Sequence, residues 1–431
     1  MIFLYTILFY LFLPIIFARL YWRGRKNKLY RERWGERLGK TPFILPSSLW
    51  LHAVSLGEAV AATPLIEALL KAYPNESIVV TTTTPTGSAH IQKLIQKHKG
   101  RLYHSYFPYD LPHALNRFFN RIHPRILIVM ETELWPNFFA TANRRGVPVV
   151  VVNARISDNA LPRYEKIKSW MPGILNRITH VAAQSERDQQ RFIDLGLSPE
   201  KSSNAGNIKY DFVLPEGIAD KAKTIKSAWP SRFVLIAAST HEGEEALFLD
   251  AYLSLKKRFP TLLLILVPRH PERFARVESL ICDKKLTVVK RSEFCPITDQ
   301  TDVFLGDTMG ELFVYYALSD LAFVGGSLVP IGGHNILEPA ALKLPILMGP
   351  YMNNSKSVAD DFLSRDAAMS VSPSHLALDI AALIESASRR EVLGRNAFSV
   401  LEQNRGTLAR LMSHVIISHC LSCDGRGGHL K

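Results

Sequence analysis

Between Asp320 and Pro350 the chain reads DLAFVGGSLVPIGGHNILEPAALKLPILMGP, two glycine pairs with His, Asn and Glu set between apolar runs. The runs 321–324 and 345–348 read as buried strands, and a helix is expected to open near His334 and Asn335. Such a loop gathers backbone N–H groups at a helix N-terminus, where partial positive charge favours a phosphate. Glu338 falls in the first helical turn, where its carboxylate can accept hydrogen bonds from a ribose diol. The spacing is neither G-x-G-x-x-G nor G-x-x-x-x-G-K-[ST], so the expected nucleotide pocket is of another type. An isolated glycine pair is read as a tight turn; two pairs enclosing polar residues favour a site.

Other residues of matching chemistry follow strands. Glu58 comes just after a buried run, at the turn Ser55-Leu56-Gly57 that opens a helix, where an acid ordinarily complements the helix dipole. Glu131 also follows a strand, as a helix-start acid with Glu133 as near rival. Lys209 reads as a solvated charge beside a linker. Pro268 and Arg269 end a strand where backbone and guanidinium can meet a base or phosphate. His241, His270 and His334 form no H-x-x-x-H pair and no Cys/His cluster, so no metal site is expected. Cys420 and Cys423 form a lone C-x-x-C, read as part of a polar tail rather than a zinc or thiol site.

These residues need a scaffold, and the chain can supply one. With 431 residues and 47% hydrophobic content it is not disordered, and its length implies two domains or more. Four scattered cysteines exclude a disulfide framework. Continuous apolar runs at 49–55, 77–83, 125–131, 147–154 and 178–184 alternate with helical patterns. A second series lies at 232–239, 261–268, 286–291, 302–307, 320–326 and 345–350. Buried strands separated by helices imply parallel α/β sheets. The expectation is two doubly wound domains, at 49–210 and 231–412, joined by a linker at 211–230, with a tail at 413–431. Ligands of such sheets sit beyond the carboxyl ends of the strands, so facing domains with a cleft between them are expected. The last helical pattern, 389–411, is expected to cross back and brace the first domain.

The formal charge is +13, from 52 Lys and Arg against 39 Asp and Glu. Residues 1–18 carry no charge and are almost wholly apolar, marginal for a span of roughly 20 residues. No basic residue precedes this run and no small-residue cleavage site follows it, so it reads as an anchor rather than a cleaved signal. In the juxtamembrane segment 19–48, nine basic residues from Arg19 to Lys40 face only Glu32 and Glu36, a local excess of +7. That bias points to the cytoplasmic side of an anionic membrane surface. A nucleic-acid arm gives the apolar run no role, and no nucleic acid is expected.

The motifs HAVSLGE (52–58), TTTTPTGS (81–88), PYDLP (108–112), METELWPN (130–137), NARIS (153–157), GNIKYD (206–211), STHEGEE (239–245), VPRHPERF (267–274), GDTMGEL (306–312) and GGHNILEPAA (332–341) occur in order. From the anchor to about residue 410, this set closely resembles the Kdo transferases of lipopolysaccharide assembly. The resemblance implies a GT-B glycosyltransferase with two Rossmann-like domains, at the inner membrane's cytoplasmic face. It implies CMP-Kdo as donor, lipid IVA as acceptor, and no metal or other cofactor. Glu58 then corresponds to the general base, and Glu131 and Lys209 to transition-state stabilisers. Pro268, Arg269, Met309, Gly310, Glu311, Asn335, Ile336, Leu337 and Glu338 correspond to the CMP site. Ser239, Thr240 and His241 are secondary candidates for phosphate or the Kdo carboxylate. One carboxylate base suffices, since CMP leaves without prior protonation. The alternatives are a GT-B transferase using another nucleotide sugar, a nucleotide-sugar epimerase, and a membrane-tethered nucleotide-binding scaffold.

Overall fold

In the computed structural model, which describes residues 2–25, 27–212 and 214–424 with side chains to Val415, the apolar runs form two parallel sheets. The first contains β1 (Ser48–His52), β2 (Ile78–Thr82), β3 (Leu102–Tyr106), β4 (Pro124–Met130), β5 (Val149–Ala154), β6 (His180–Ala183) and β7 (Ser202–Asn204), in the order β3-β2-β1-β4-β5-β6-β7. The second contains β8 (Phe233–Thr240), β9 (Leu262–Pro268), β10 (Val288–Lys290), β11 (Val303–Leu305), β12 (Leu321–Val324), β13 (Ile346–Met348) and β14 (Met369–Ser370), in the order β10-β11-β9-β8-β12-β13-β14.

The continuous apolar runs reflect burial on both faces. Leu49, Leu51, Ile126 and Ile128 share one core with Leu65, Ile66 and Leu69 of the helix Leu56–Ala72. Trp50, Leu127, Val129 and Val151 share the opposite core with Phe118, Phe119 and Phe138. Each large apolar side chain so buried contributes about 1.5–3 kcal/mol. The second sheet repeats the pattern, with Leu235, Leu264 and Leu266 on one side and Val234, Ile236 and Ile265 on the other. The strand order reverses between β1 and β4 in the first sheet and between β8 and β12 in the second, where β11 also inserts between β9 and the edge strand β10. Crevices at such reversals are where doubly wound sheets hold their ligands.

The chain divides into two compact units, Met1–Asp211 with Arg405–Lys431, and Phe212–Asn404. Two of the expected boundaries shift. The segment 211–230 is not simply a linker: it contains the helix Ile218–Ser227, which packs inside the second unit on the helix Leu312–Leu318. Residues 405–412 belong to the first unit rather than the second. The 389–411 pattern breaks at Gly406, whose φ is +83°, into the helices Ala387–Asn404 and Thr407–Asp424. The latter buries Leu411 and Val415 in the first unit's core. The side chains of Cys420 and Cys423 lie outside the described residues.

At the amino end, Ile2–Arg23 is one 22-residue helix, long and apolar enough by length and composition to cross a bilayer. It continues past the expected end of the anchor at residue 18. It also touches the first unit: Asn137 Nδ2 donates to Thr6 Oγ1 at 3.0 Å, Tyr10 Oη lies 2.6 Å from His113 Nδ1, and Phe17 packs on Trp34 and Tyr109.

Candidate functional site

In the first unit three carboxylates and a lysine gather where β1, β4 and β7 end. Ser55 caps the helix Leu56–Ala72: the Glu58 N–H donates to Ser55 Oγ at 3.3 Å, and Ser55 Oγ donates to Glu58 Oε1 at 2.9 Å. This is the reciprocal Ser-x-x-Glu box that starts helices, extended by the Val54 N–H, which donates to Glu58 Oε2 at 2.8 Å. The carboxylate is therefore held in one orientation and half-buried. Burial, then the negative charge of Glu131, raises the Glu58 carboxyl to about 7, against the lowering pull of the Val54 and Ser55 hydrogen bonds.

Glu131 takes a left-handed backbone, φ +57°, directly after β4, with its N–H bonded to the Val152 carbonyl. Such a conformation in a non-glycine residue costs about 1–3 kcal/mol and clusters at functional sites. Glu133, the sequence rival, belongs to the same cluster: burial raises it to about 7, opposed by the Trp135 Nε1 donor at 2.7 Å and reinforced by Glu131. Lys209 joins them. Burial lowers its pKa, and Glu131 acts in the opposite direction. Its loop is fixed by Asn153, another left-handed residue (φ +53°), whose Oδ1 accepts the Ile208 N–H at 3.0 Å, and by Asn207 Oδ1, which accepts the Lys209 N–H at 3.0 Å. Lys209 is thus a positioned ammonium, not a solvated linker charge. Arg155, in the NARIS motif, also acts on Lys209 and had no sequence-level role.

In the second unit, Ser239, Arg269, Leu312, Tyr316, His334, Asn335 and Glu338 line a cavity of about 250 Å³ at the reversal between β8 and β12. Asn335 Nδ2 donates to Glu338 Oε1 at 3.2 Å. Burial raises the Glu338 carboxyl, while Asn335 and Arg269 pull it down. Ile336 and Leu337 are buried and supply backbone and packing. Pro268 ends β9 and sets Arg269, whose N–H donates to the Thr240 carbonyl at 3.0 Å.

Met309, Gly310 and Glu311 do not line this cavity. Met309 is exposed, and Glu311 is forked by Arg291 at 2.9 and 3.1 Å. Burial acts to raise Glu311, but the Arg291 and Thr308 hydrogen bonds outweigh it and leave it below its ordinary value.

The glycine loop differs from expectation in one chemically important respect. The helix opens at Leu337, not at His334 or Asn335, and the amides at the start of the loop are already occupied. Buried Glu244 accepts the N–H groups of Gly326 (2.7 Å), Ser327 (3.1 Å), Leu328 (2.9 Å) and His241 (2.9 Å). A side-chain carboxylate takes the amides of Gly326, Ser327 and Leu328, so Glu244 shapes the start of the loop, and the polar side chains Ser239, Arg269, His334, Asn335 and Glu338 line the cavity beside it. The only sequence signal for this was the acidic pair in STHEGEE. His241 and His334 stack, with Nε2 atoms 2.8 Å apart. Among the described residues no group of three or more His, Cys, Asp or Glu side chains converges as a metal site.

Twin parallel sheets, each with a strand-order reversal between its first strand and the strand that crosses back beside it, define the GT-B architecture. Two solved structures share the fold over 86% of this chain: the UDP-GlcNAc 2-epimerase of Neisseria meningitidis bound to UDP-GlcNAc (TM-score 0.55, 14% identity, 99% of that chain) and a glycosyltransferase from Rickettsia africae (TM-score 0.53, 15% identity, 98% of that chain). The family model of 3-deoxy-D-manno-octulosonic-acid transferases (kdotransferases) matches residues 32–212. The 3-deoxy-D-manno-octulosonic acid transferase of Haemophilus influenzae is 39% identical over 416 residues, covering 95% of this chain and 97% of that protein. The chain belongs to this family of Kdo transferases.

Proposed function

We propose that the enzyme transfers Kdo from CMP-Kdo to lipid IVA, releasing CMP, at the cytoplasmic face of the inner membrane. The observation that carries the reading is the Glu58 carboxyl, oriented by Val54 and Ser55 and raised to about 7 beside Glu131. A general base works best with a pKa near the operating pH, and this one lies there. In a single displacement the acceptor hydroxyl gives its proton to Glu58, its oxygen bonds to the anomeric carbon, and the bond from that carbon to the CMP phosphate breaks with its electrons leaving on CMP. Glu131 favours positive charge at the anomeric carbon, and the cations Lys209 and Arg269 favour the anionic groups of the donor.

In the donor pocket Glu338 is assigned to the ribose diol and Arg269 to phosphate, with Asn335 holding Glu338 in place. Met309 and Gly310 are assigned to the pyrimidine side and Glu311 to ordering them. No metal is assigned a role, because the chain's own cations answer the leaving charge. The N-terminal helix and the basic residues that follow it support a membrane location and an anionic lipid surface as partner.

The test is full-length protein with lipid IVA and freshly generated CMP-Kdo, products resolved by mass. Kdo adducts are expected from the wild type, and Glu58→Gln is expected to bind CMP while forming none. Transfer from a UDP- or GDP-sugar instead, or unchanged transfer by Glu58→Gln, overturns the assignment.

A further inference from the structure

The first unit contains a second, larger cavity, about 570 Å³, apart from the carboxylates but sharing a wall with them. Its lining is apolar: Ile2 and Phe3 of the N-terminal helix, Leu134 and Trp135 on the approach to the helix Pro136–Arg144, and Tyr164 and Ile174 beyond β5. Its volume falls in the range of roughly 300–1,000 Å³ typical of small-molecule pockets. One charged side chain lines it, Arg177, and the Nη1 of that guanidinium is buried without a hydrogen-bond partner. A buried cationic donor left unsatisfied is unfavourable by itself and calls for an acceptor. An apolar chamber with one open guanidinium nitrogen matches an amphiphile with a hydrocarbon chain and an acidic head.

Two continuities say which amphiphile. The chamber is walled by the N-terminal helix, whose Phe3, Leu4, Leu11, Phe12 and Ile15 are more than half exposed, so its lining continues an apolar surface suited to a bilayer. On its other side Trp135 both lines the chamber and donates Nε1–H to Glu133 at 2.7 Å, and Tyr164 Oη reaches the Thr132 carbonyl. A chain seated there hangs from the bilayer side and leaves its polar end beside the Glu58, Glu131 and Glu133 cluster.

We propose that this chamber holds one acyl chain of the lipid acceptor, with Arg177 on an acceptor phosphate; the assignment rests on the transfer reaction proposed above. A hydrocarbon chain in the chamber selects acylated over water-soluble alcohols and fixes the hydroxyl near the base.

The experiment has two arms, both on the full chain in detergent micelles. A Cβ at Gly173, on the rim, meets no atom within 4 Å, so Gly173→Trp adds bulk at the chamber without a backbone clash. It is expected to raise KM for lipid IVA at least tenfold, with kcat within twofold and CMP affinity unaltered. In the second arm a bromine-labelled long-chain phosphatidic acid quenches the fluorescence of Trp135 and Trp170, both in the lining, and Arg177→Gln weakens that quenching. The quenching arm stands alone should Gly173→Trp fail to fold. Wild-type turnover of lipid IVA with an unchanged KM in Gly173→Trp, or absence of quenching, overturns the chamber and leaves the reaction standing. Absence of wild-type turnover alongside intact quenching overturns the reaction and keeps the chamber as a lipid site.

Discussion

The titration of Glu58 shows most directly in the pH dependence of kcat/KM, which reports the base in the free enzyme. Moving a carboxyl from 4.5 to about 7 disfavours its ionised form by about 3 kcal/mol. Burial supplies the largest share and Glu131 the next, while Val54 and Ser55 oppose both. The sign of each substitution follows. Activity requires the ionised base, so wild-type kcat/KM rises with pH and levels off above about 7. Glu131→Gln removes a like charge and moves that limb below 7. It stops short of 4.5, because the burial remains. Ser55→Ala removes a hydrogen bond to the ionised form and moves the limb above 7. The Glu131→Gln plateau also falls, on the order of a hundredfold, if that carboxylate favours charge in the transition state. Profiles from pH 4.5 to 9 on the three proteins, using released CMP, decide the matter. A limb that stays at 7 in both variants, or shifts the same way in both, refutes Glu58 as the titrating base.

Three further outcomes are expected. Gly325→Ala places a Cβ 2.4 Å from the Ser239 carbonyl oxygen and 2.8 Å from that of Ala238, both backbone, so CMP affinity by calorimetry falls at least tenfold; unaltered affinity contradicts the donor-pocket assignment. Asp110 accepts the Asn137 (3.0 Å) and Phe138 (2.7 Å) N–H groups at the start of the helix Pro136–Arg144, and burial raises it from 3.8 to about 7. The native state therefore holds this proton between those pH values while the unfolded chain does not, so stability falls as pH rises from about 4 to 7. Asp110→Asn flattens that slope in urea midpoints, and Asp110→Ala costs about 1–3 kcal/mol. Transfer is expected to persist in EDTA; complete loss restored by one divalent ion contradicts the roles given to Lys209 and Arg269.

What the sequence disclosed tracks burial. The eleven predicted runs all became strands; ten are buried along nearly their whole length, as strands covered on both faces must be, and β10 is a half-buried edge. The strands it did not disclose, β3, β7 and β14, are sheet edges with sequences LYHSY, SSN and MS, where one side lacks a neighbour and polar residues are tolerated. The helical pattern expected between the runs 147–154 and 178–184 proved to be three short turns, Leu161–Glu165, Lys168–Trp170 and Met171–Leu175. Among the site residues, position after a strand was legible for Glu58, Glu131 and Arg269. The neighbourhood of Lys209 was not, because it depends on Asn153, more than fifty residues earlier, accepting the Ile208 N–H. Nor was the occupancy of the glycine loop by Glu244, a pairing across more than eighty residues.

The ordinary and the chemical readings of Glu58 turn out to be one arrangement. As a helix-start residue it needs fixed hydrogen bonds from Val54 and Ser55, and those bonds alone would leave a weak base of low pKa. As a base it needs proton affinity near neutrality, which burial and the Glu131 carboxylate supply. The capping box therefore fixes direction, and the left-handed turn that carries Glu131 off the end of β4 contributes to strength. Neither half suffices: an exposed capping glutamate titrates near 4.5, and a buried carboxyl without the box is free to turn from the acceptor. That division of labour is why the Ser55 and Glu131 substitutions must displace the pH profile in opposite directions.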